Sequence, residues 1–191
     1  DGGLVFYGGF IGAALADVAY LRWRGLNAWR MADVMAPAIA LGQAFGRIGC
    51  FLNGCCFGGP ATEAFPLAVR FPRFLGETGE PTGSPAFLDH LARHWLPDGA
   101  THSLPVHPTQ LYMTLGLLAA FVVLKGVLKR KTRPGTVVLA YLLLYGAVRF
   151  TVEAFRADSA RPLLHMTVSQ IVSLGLAAGA LALFAARALR R

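Results

Sequence analysis

Apolar residues along this chain gather into long runs instead of alternating with polar ones. Five runs stand out, over about 4–21, 31–51, 108–128, 136–155 and 167–186. A helix needs about 20 mostly apolar residues to cross the hydrocarbon core of a bilayer. Each run meets or nearly meets that length, so the pattern predicts five transmembrane helices. Arg47 interrupts the second run, and the fourth contains Arg149 and Glu153.

Residues 57–107 read differently. Most of the chain's prolines fall here, and Gly, Asp, Glu and His break up the apolar positions. This stretch is expected to be an extramembrane arm between the second and third spans. Within it Leu67 to Phe71 alternates as a strand does, and Ala86 to Trp95 suits a helix. The predicted architecture is therefore an all-α polytopic membrane protein, a single membrane domain over residues 1–191 carrying one arm.

Composition agrees with a bilayer. Hydrophobic residues make up 55% of the chain and charged residues 15%, against about 25% charge in an ordinary soluble domain. The formal net charge of +8 would fit nucleic acid if it formed one patch, but it does not. It concentrates in Arg22, Arg24 and Arg30, in Lys125, Lys129, Arg130, Lys131 and Arg133, and in Arg187, Arg190 and Arg191. Each group lies at the end of an apolar run. With five spans, all three groups fall on one side of the membrane, which the positive-inside rule makes cytoplasmic. The arm then faces outward, and no nucleic-acid partner is expected. Three cysteines, Cys50, Cys55 and Cys56, are too few and too clustered for a disulfide framework.

Ionisable side chains inside a span are costly and mark function more often than not. In the fourth run Tyr141, Tyr145, Arg149 and Glu153 follow one another at steps of four, with Arg156 three further on. Such spacing lines one face of a helix. The stripe reads either as a structural ion pair or as an anion site, because guanidinium binds phosphate bidentately and keeps its charge. Arg47, set among Gly42, Gly46 and Gly49, repeats the theme on the second span, and the two arginines together form a candidate phosphate clamp. Gly42 and Gly12 read as helix-packing positions. Tyr7 precedes Gly8 and Gly9 near the outward end of the first span. His107, Gln110 and Tyr112 open the third, where caps or headgroup contacts are the plainer explanation. The cysteines read most simply as small apolar fillers, with a disulfide or a metal site as the alternatives; no metal and no cofactor is expected.

The stretches GRIGCFLNG, PTQLY, YGAVRFTVEAFR and MTVSQIVSL, in this order, together with the opening GGLVFYGGFIGA, resemble the prolipoprotein diacylglyceryl transferases. The likeness touches all five runs and leaves the arm unmatched in detail. It implies transfer of the diacylglyceryl group of phosphatidylglycerol to the lipobox cysteine of a preprolipoprotein signal peptide, in a bacterial inner membrane with the site facing outward. Arg47 and Arg149 then correspond to the family's phosphate-facing arginines. Tyr145 and Glu153 match its YGxxRFxxE stretch, Asn53 its second signature asparagine, and Gln110 and Tyr112 its QLY. Gly8 and Gly9 correspond to its glycine pair, and His107 and Arg156 join the expected substrate contacts. The family has seven spans, so two N-terminal ones are expected to lie outside this chain. Four positions differ: Tyr7 where the family has its catalytic histidine, Cys50 for an asparagine, Cys55 for a glutamate, and Met113 for the glutamate after QLY. A tyrosine, with pKa about 10, is a poor base near neutrality. Two readings stay open, a working transferase and a paralogue that keeps the phospholipid site for another transfer or for binding alone.

Overall fold

The computed structural model describes residues 2–75, 81–130, 132–156 and 166–189; for residues 2–11, 14, 75, 81 and 188 it describes the backbone alone. Six helices and one two-stranded ribbon follow in the order α1 (Gly2–Trp23), α2 (Ala28–Asn53), β1 (Arg73–Leu75), β2 (Pro81–Gly83), α3 (Pro85–Ala92), α4 (Thr109–Leu128), α5 (Thr136–Glu153) and α6 (Val168–Leu189). Among the described residues α2, α4, α5 and α6 are long and apolar enough to cross a membrane. The chain is an all-α polytopic membrane protein. Helix α1, at 22 residues, covers the first apolar run.

Helix α2 packs most closely on α4, α5 on α6, and α4 and α5 join the two pairs. The packing is built from small and branched side chains. Ala36, Ala40, Leu124, Val137 and Tyr141 form one core cluster; Ala44, Met113, Leu117 and Val152 form the next. Bilayer lipid is as apolar as leucine, so close approach matters more than hydrophobicity in such contacts. A Cβ on Gly116 would sit 2.5 Å from Cγ1 of Val148, and one on Gly146 would sit 3.0 Å from the carbonyl of Ser173. These are the glycines that set helix spacing. By contrast, a Cβ at Gly12 or Gly42 would meet no described atom within 4 Å, which corrects the packing role expected for them.

One end of the bundle gathers the basic groups. Arg187 lies over the Trp29 ring at 4.2 Å, and Arg133 donates to the Arg187 carbonyl at 3.0 Å. Beside them the buried carboxylate of Asp33 on α2 accepts from Gly135 N–H at 2.6 Å and Val138 N–H at 2.9 Å. It thereby satisfies free donors at the α5 N-terminus, where negative charge also suits the helix dipole.

The arm closes the other end. Phe71, Ala86 and Val106 form its core, with Phe51, Phe57 and Val69 packed against it. The strand expected over 67–71 is not formed as a ladder. Val69 pairs with Val106 and Pro72 with His102 only as isolated bridges, because Pro66, Pro72 and Pro105 lack the N–H that continuous pairing needs. The short ribbon lies just beyond, at β1 and β2. Ser84 caps α3 by accepting from Phe87 N–H at 3.3 Å, and Pro85 suits the first helical position. The helix ends at Ala92, earlier than the expected Trp95, as His94 turns to φ 57°.

Candidate phospholipid site

The end of α5 carries the polar stripe seen in the sequence, and the fold buries it. Glu153 is 2% exposed. Its Oε2 lies 2.5 Å from Nη1 of Arg149, one turn earlier. The other guanidinium nitrogen, Nη2, donates to Oγ of Ser169 on α6 at 2.8 Å. Arg149 is thus held at two points, by a carboxylate on its own helix and a hydroxyl on the next. Sequence reasoning found the first partner and missed the second, because Ser169 lies 20 residues away and only the docking of α6 on α5 brings it in.

That docking has local causes. Thr167 and Gln170 form a reciprocal cap: Thr167 N–H donates to Oε1 of Gln170 at 3.0 Å, and Gln170 N–H donates to Oγ1 of Thr167 at 3.2 Å. This pattern starts a helix at a defined residue, so Ser169 falls in the first turn of α6. Tyr145, one turn before Arg149, lies against Tyr141 with ring centroids 5.9 Å apart. Tyr141 in turn donates to Oε1 of Gln43 on α2 at 3.0 Å.

Arg47 stands on α2, half-buried. No hydrogen bond or ion pair joins it to another described residue. A guanidinium that stays charged in such a place is a ready anion site. About two turns on, α2 ends at Asn53, capped by Gly54, whose φ of 71° is left-handed. Asn53 is exposed there, beside the Cys55 thiol.

The start of α4 fixes the segment that follows. Nε2 of Gln110 donates to the Cys55 carbonyl at 2.7 Å, and the Thr109 hydroxyl donates to the Cys56 carbonyl at 2.8 Å. Gln110 therefore holds backbone through Nε2, while its buried Oε1 has no hydrogen-bond partner among the described residues. His107 joins Tyr112 through a 3.2 Å hydrogen bond between Nδ1 and the hydroxyl. The His107 ring also lies 4.8 Å from Phe65 and 5.4 Å from Phe155. Below this group a groove of about 550 Å³ opens between α4 and α5, lined by Phe65, Leu67, Tyr112, Gly116, Val148 and Phe155. Successive residues of a helix point about 100° apart, so the groove face at Val148 adjoins the face bearing Arg149. Arg156 follows the last turn of α5 and is partly buried.

Of the other expected site residues, Tyr7, Gly8 and Gly9 lie on α1, and their side-chain surroundings fall outside the described residues. Within the arm, burial lowers the pKa of His90 below its ordinary value. Its Nδ1 accepts from Leu104 N–H at 3.1 Å, which requires the unprotonated nitrogen.

Comparison with known proteins identifies the family. The sequence profile of the family described as prolipoprotein diacylglyceryl transferase matches residues 1–186. A phosphatidylglycerol–prolipoprotein diacylglyceryl transferase of Geobacillus kaustophilus is 34% identical over 187 residues, covering 98% of this chain and 62% of the relative. One of Ralstonia pickettii is 37% identical, covering 82% of this chain and 52% of the relative. One of Bacillus mycoides is 33% identical, covering 92% and 57%. The chain thus spans a little over half the length of the curated relatives it matches.

Proposed function

Because the chain belongs to the prolipoprotein diacylglyceryl transferase family, we propose that it moves the diacylglyceryl group of phosphatidylglycerol onto a lipobox cysteine thiol. In this reading the thiolate sulfur attacks the glyceryl carbon that carries the phosphate ester. A carbon–sulfur bond forms, the carbon–oxygen bond breaks, and glycerol phosphate leaves with the electron pair. The thiol proton passes to a base. The observation that carries the reading is the pair of intramembrane arginines, Arg149 held by Glu153 and Ser169 and Arg47, which makes no hydrogen bond or ion pair with a described residue. Negative charge grows on the phosphate oxygen as the bond breaks, and fixed guanidinium groups stabilise that charge more than they stabilise the ground state.

A free thiol has pKa about 8.5 and needs only modest help to ionise. His107 is the base we favour over Tyr7. With Nδ1–H donated to the Tyr112 hydroxyl, its Nε2 keeps a lone pair for the thiol proton. The groove below Tyr112 is apolar enough for an acyl chain. The basic loops at the other end support, by the positive-inside rule, an outward-facing Arg149 end, in what we take to be a bacterial plasma membrane.

The test is transfer of labelled diacylglyceryl from phosphatidylglycerol vesicles to a lipobox peptide by the full chain in proteoliposomes. Product from the wild-type chain, lost in Arg149→Ala and in His107→Ala, is the expected result. No product from wild type, with product from Tyr7→His, would overturn the assignment of the base and favour the paralogue. Lipid binding without turnover in either protein would reduce the site to a binding one.

A further inference from the structure

Three thiols converge where the proposed transfer chemistry has no use for them. The Sγ atoms of Cys50, Cys55 and Cys56 all lie within 4.8 Å of one another. We propose that this cluster is a three-coordinate thiolate site for a soft, closed-shell cation, and that the cation is Cu(I).

The backbone is arranged for convergence. Cys50 sits in the last turn of α2. Gly54 then reverses the chain, and a Cβ there would strike Ser84 at 2.7 Å and Phe71 at 3.0 Å, so only glycine turns this tightly. Cys56 adopts φ 59°, rare for a residue with a side chain. The carbonyls of Cys55 and Cys56 are each clamped by a side chain of α4, Gln110 and Thr109. Two cysteines of a loop are therefore held against one on a helix by backbone contacts, and the Cys55 thiol adds a 3.7 Å hydrogen bond to the Cys50 carbonyl.

The donor set chooses the ion. Thiolates select Cu(I), zinc and iron–sulfur clusters over harder ions. Structural zinc takes four ligands, and among the described residues no histidine, carboxylate or further cysteine joins the three. Metal–sulfur bonds of about 2.3 Å put the sulfurs of a trigonal site about 4 Å apart, a small contraction from the separation seen. A disulfide would use two of the sulfurs and leave the third with nothing to do. Binding releases three protons to solvent and moves no electron. Arg47, one turn before Cys50, is near enough to act on it electrostatically.

The test uses the reduced full chain in micelles under anaerobic conditions, with the Cu(I)–bathocuproine disulfonate complex as the metal source. Wild type is expected to withdraw one Cu(I) per chain, to gain thiolate-to-copper absorption in the near ultraviolet, and to protect all three thiols from iodoacetamide. Cys50→Ser, Cys55→Ser and Cys56→Ser should each weaken the competition at least tenfold with helical circular dichroism unchanged. The alkylation readout needs no variant, so a poorly folded mutant does not blunt the experiment. Equal withdrawal by the triple serine variant would overturn the proposal, as would a single variant that keeps full affinity. Displacement of Cu(I) by equimolar Zn(II) would overturn the choice of ion. A disulfide among the three in chain isolated without reductant would replace the metal site with a redox pair.

Discussion

Two arginines enter the membrane domain, and the fold treats them in opposite ways. Arg149 is bonded at both ends of its guanidinium, to a carboxylate one turn along its helix and a hydroxyl on α6. Arg47 is half-buried among small residues of α2 and makes no hydrogen bond or ion pair with any described residue. The first is a positioned charge whose protein partners hold it in place; the second, on the reading proposed above, is the charge left for a phosphate. The difference teaches how one site can supply both rigidity and attraction. A fully engaged guanidinium keeps its geometry as negative charge develops beside it, while an unpaired one supplies net attraction to a phosphate.

The largest expected effect therefore falls on stability, and only at Arg149. Removing it breaks the buried pair with Glu153, and breaking a buried ion pair costs about 3–5 kcal/mol. Arg149→Ala should lower the melting temperature in micelles and also abolish transfer. Arg47→Ala should abolish or greatly weaken transfer and vesicle binding with the melting temperature unchanged. If both variants melt alike, the contrast between the two arginines is wrong.

Glu153→Gln sharpens the same contrast at a smaller scale. The amide keeps a hydrogen bond to Arg149 and removes the anion that neutralises it. Stability should fall by about 1–3 kcal/mol, and phosphate affinity should rise because Arg149 regains net charge. Ser169→Ala comes next. It removes one neutral partner, worth about 1 kcal/mol, and should lower the transfer rate more than lipid affinity, since it frees one end of the guanidinium to swing. A rate equal to wild type would mean that Glu153 alone positions Arg149.

How much of this was legible beforehand divides along a physical line. The spans follow from lengths of apolar sequence, and the stripe through Arg149 and Glu153 follows from steps of four, both local properties. What escaped depends on which helices meet. Ser169 needed the docking of α6; Asp33 caps a helix start about 100 residues away; the bond from Gln110 to the Cys55 carbonyl joins residues 55 apart. The glycines carry the same lesson. A small-xxx-small spacing picked Gly42, while the close approaches are at Gly116 and Gly146, where a partner helix happens to lie. Spacing along one helix cannot reveal its neighbour. The arm was hardest, because proline removes the donors that an alternating pattern presupposes at 67–71.

The smallest effect tests whether the arm is independent of the arginines altogether. His90 is buried between Phe57 and Trp95 and accepts a backbone hydrogen bond on Nδ1. Burial lowers its pKa, with Arg93 adding to that fall and Asp89 opposing it. An unfolded histidine titrates near about 6.5, so below that pH the unfolded arm binds more protons than the folded one. Stability then falls as the solution is acidified from about 6.5 through the lower folded value, and is fully present above it. Limited proteolysis of the arm in micelles should accelerate between pH 7 and pH 5. In His90→Asn, whose amide oxygen can still accept from Leu104 N–H but cannot titrate, the rate should stay flat over that window. Because Arg149 and Glu153 meet inside the membrane helices and His90 lies in the arm core, the melting of the helix bundle should not follow this change. A bundle that softens together with the arm would mean that the two ends of the site are one cooperative unit, and that the stability difference between Arg47 and Arg149 reaches into the arm.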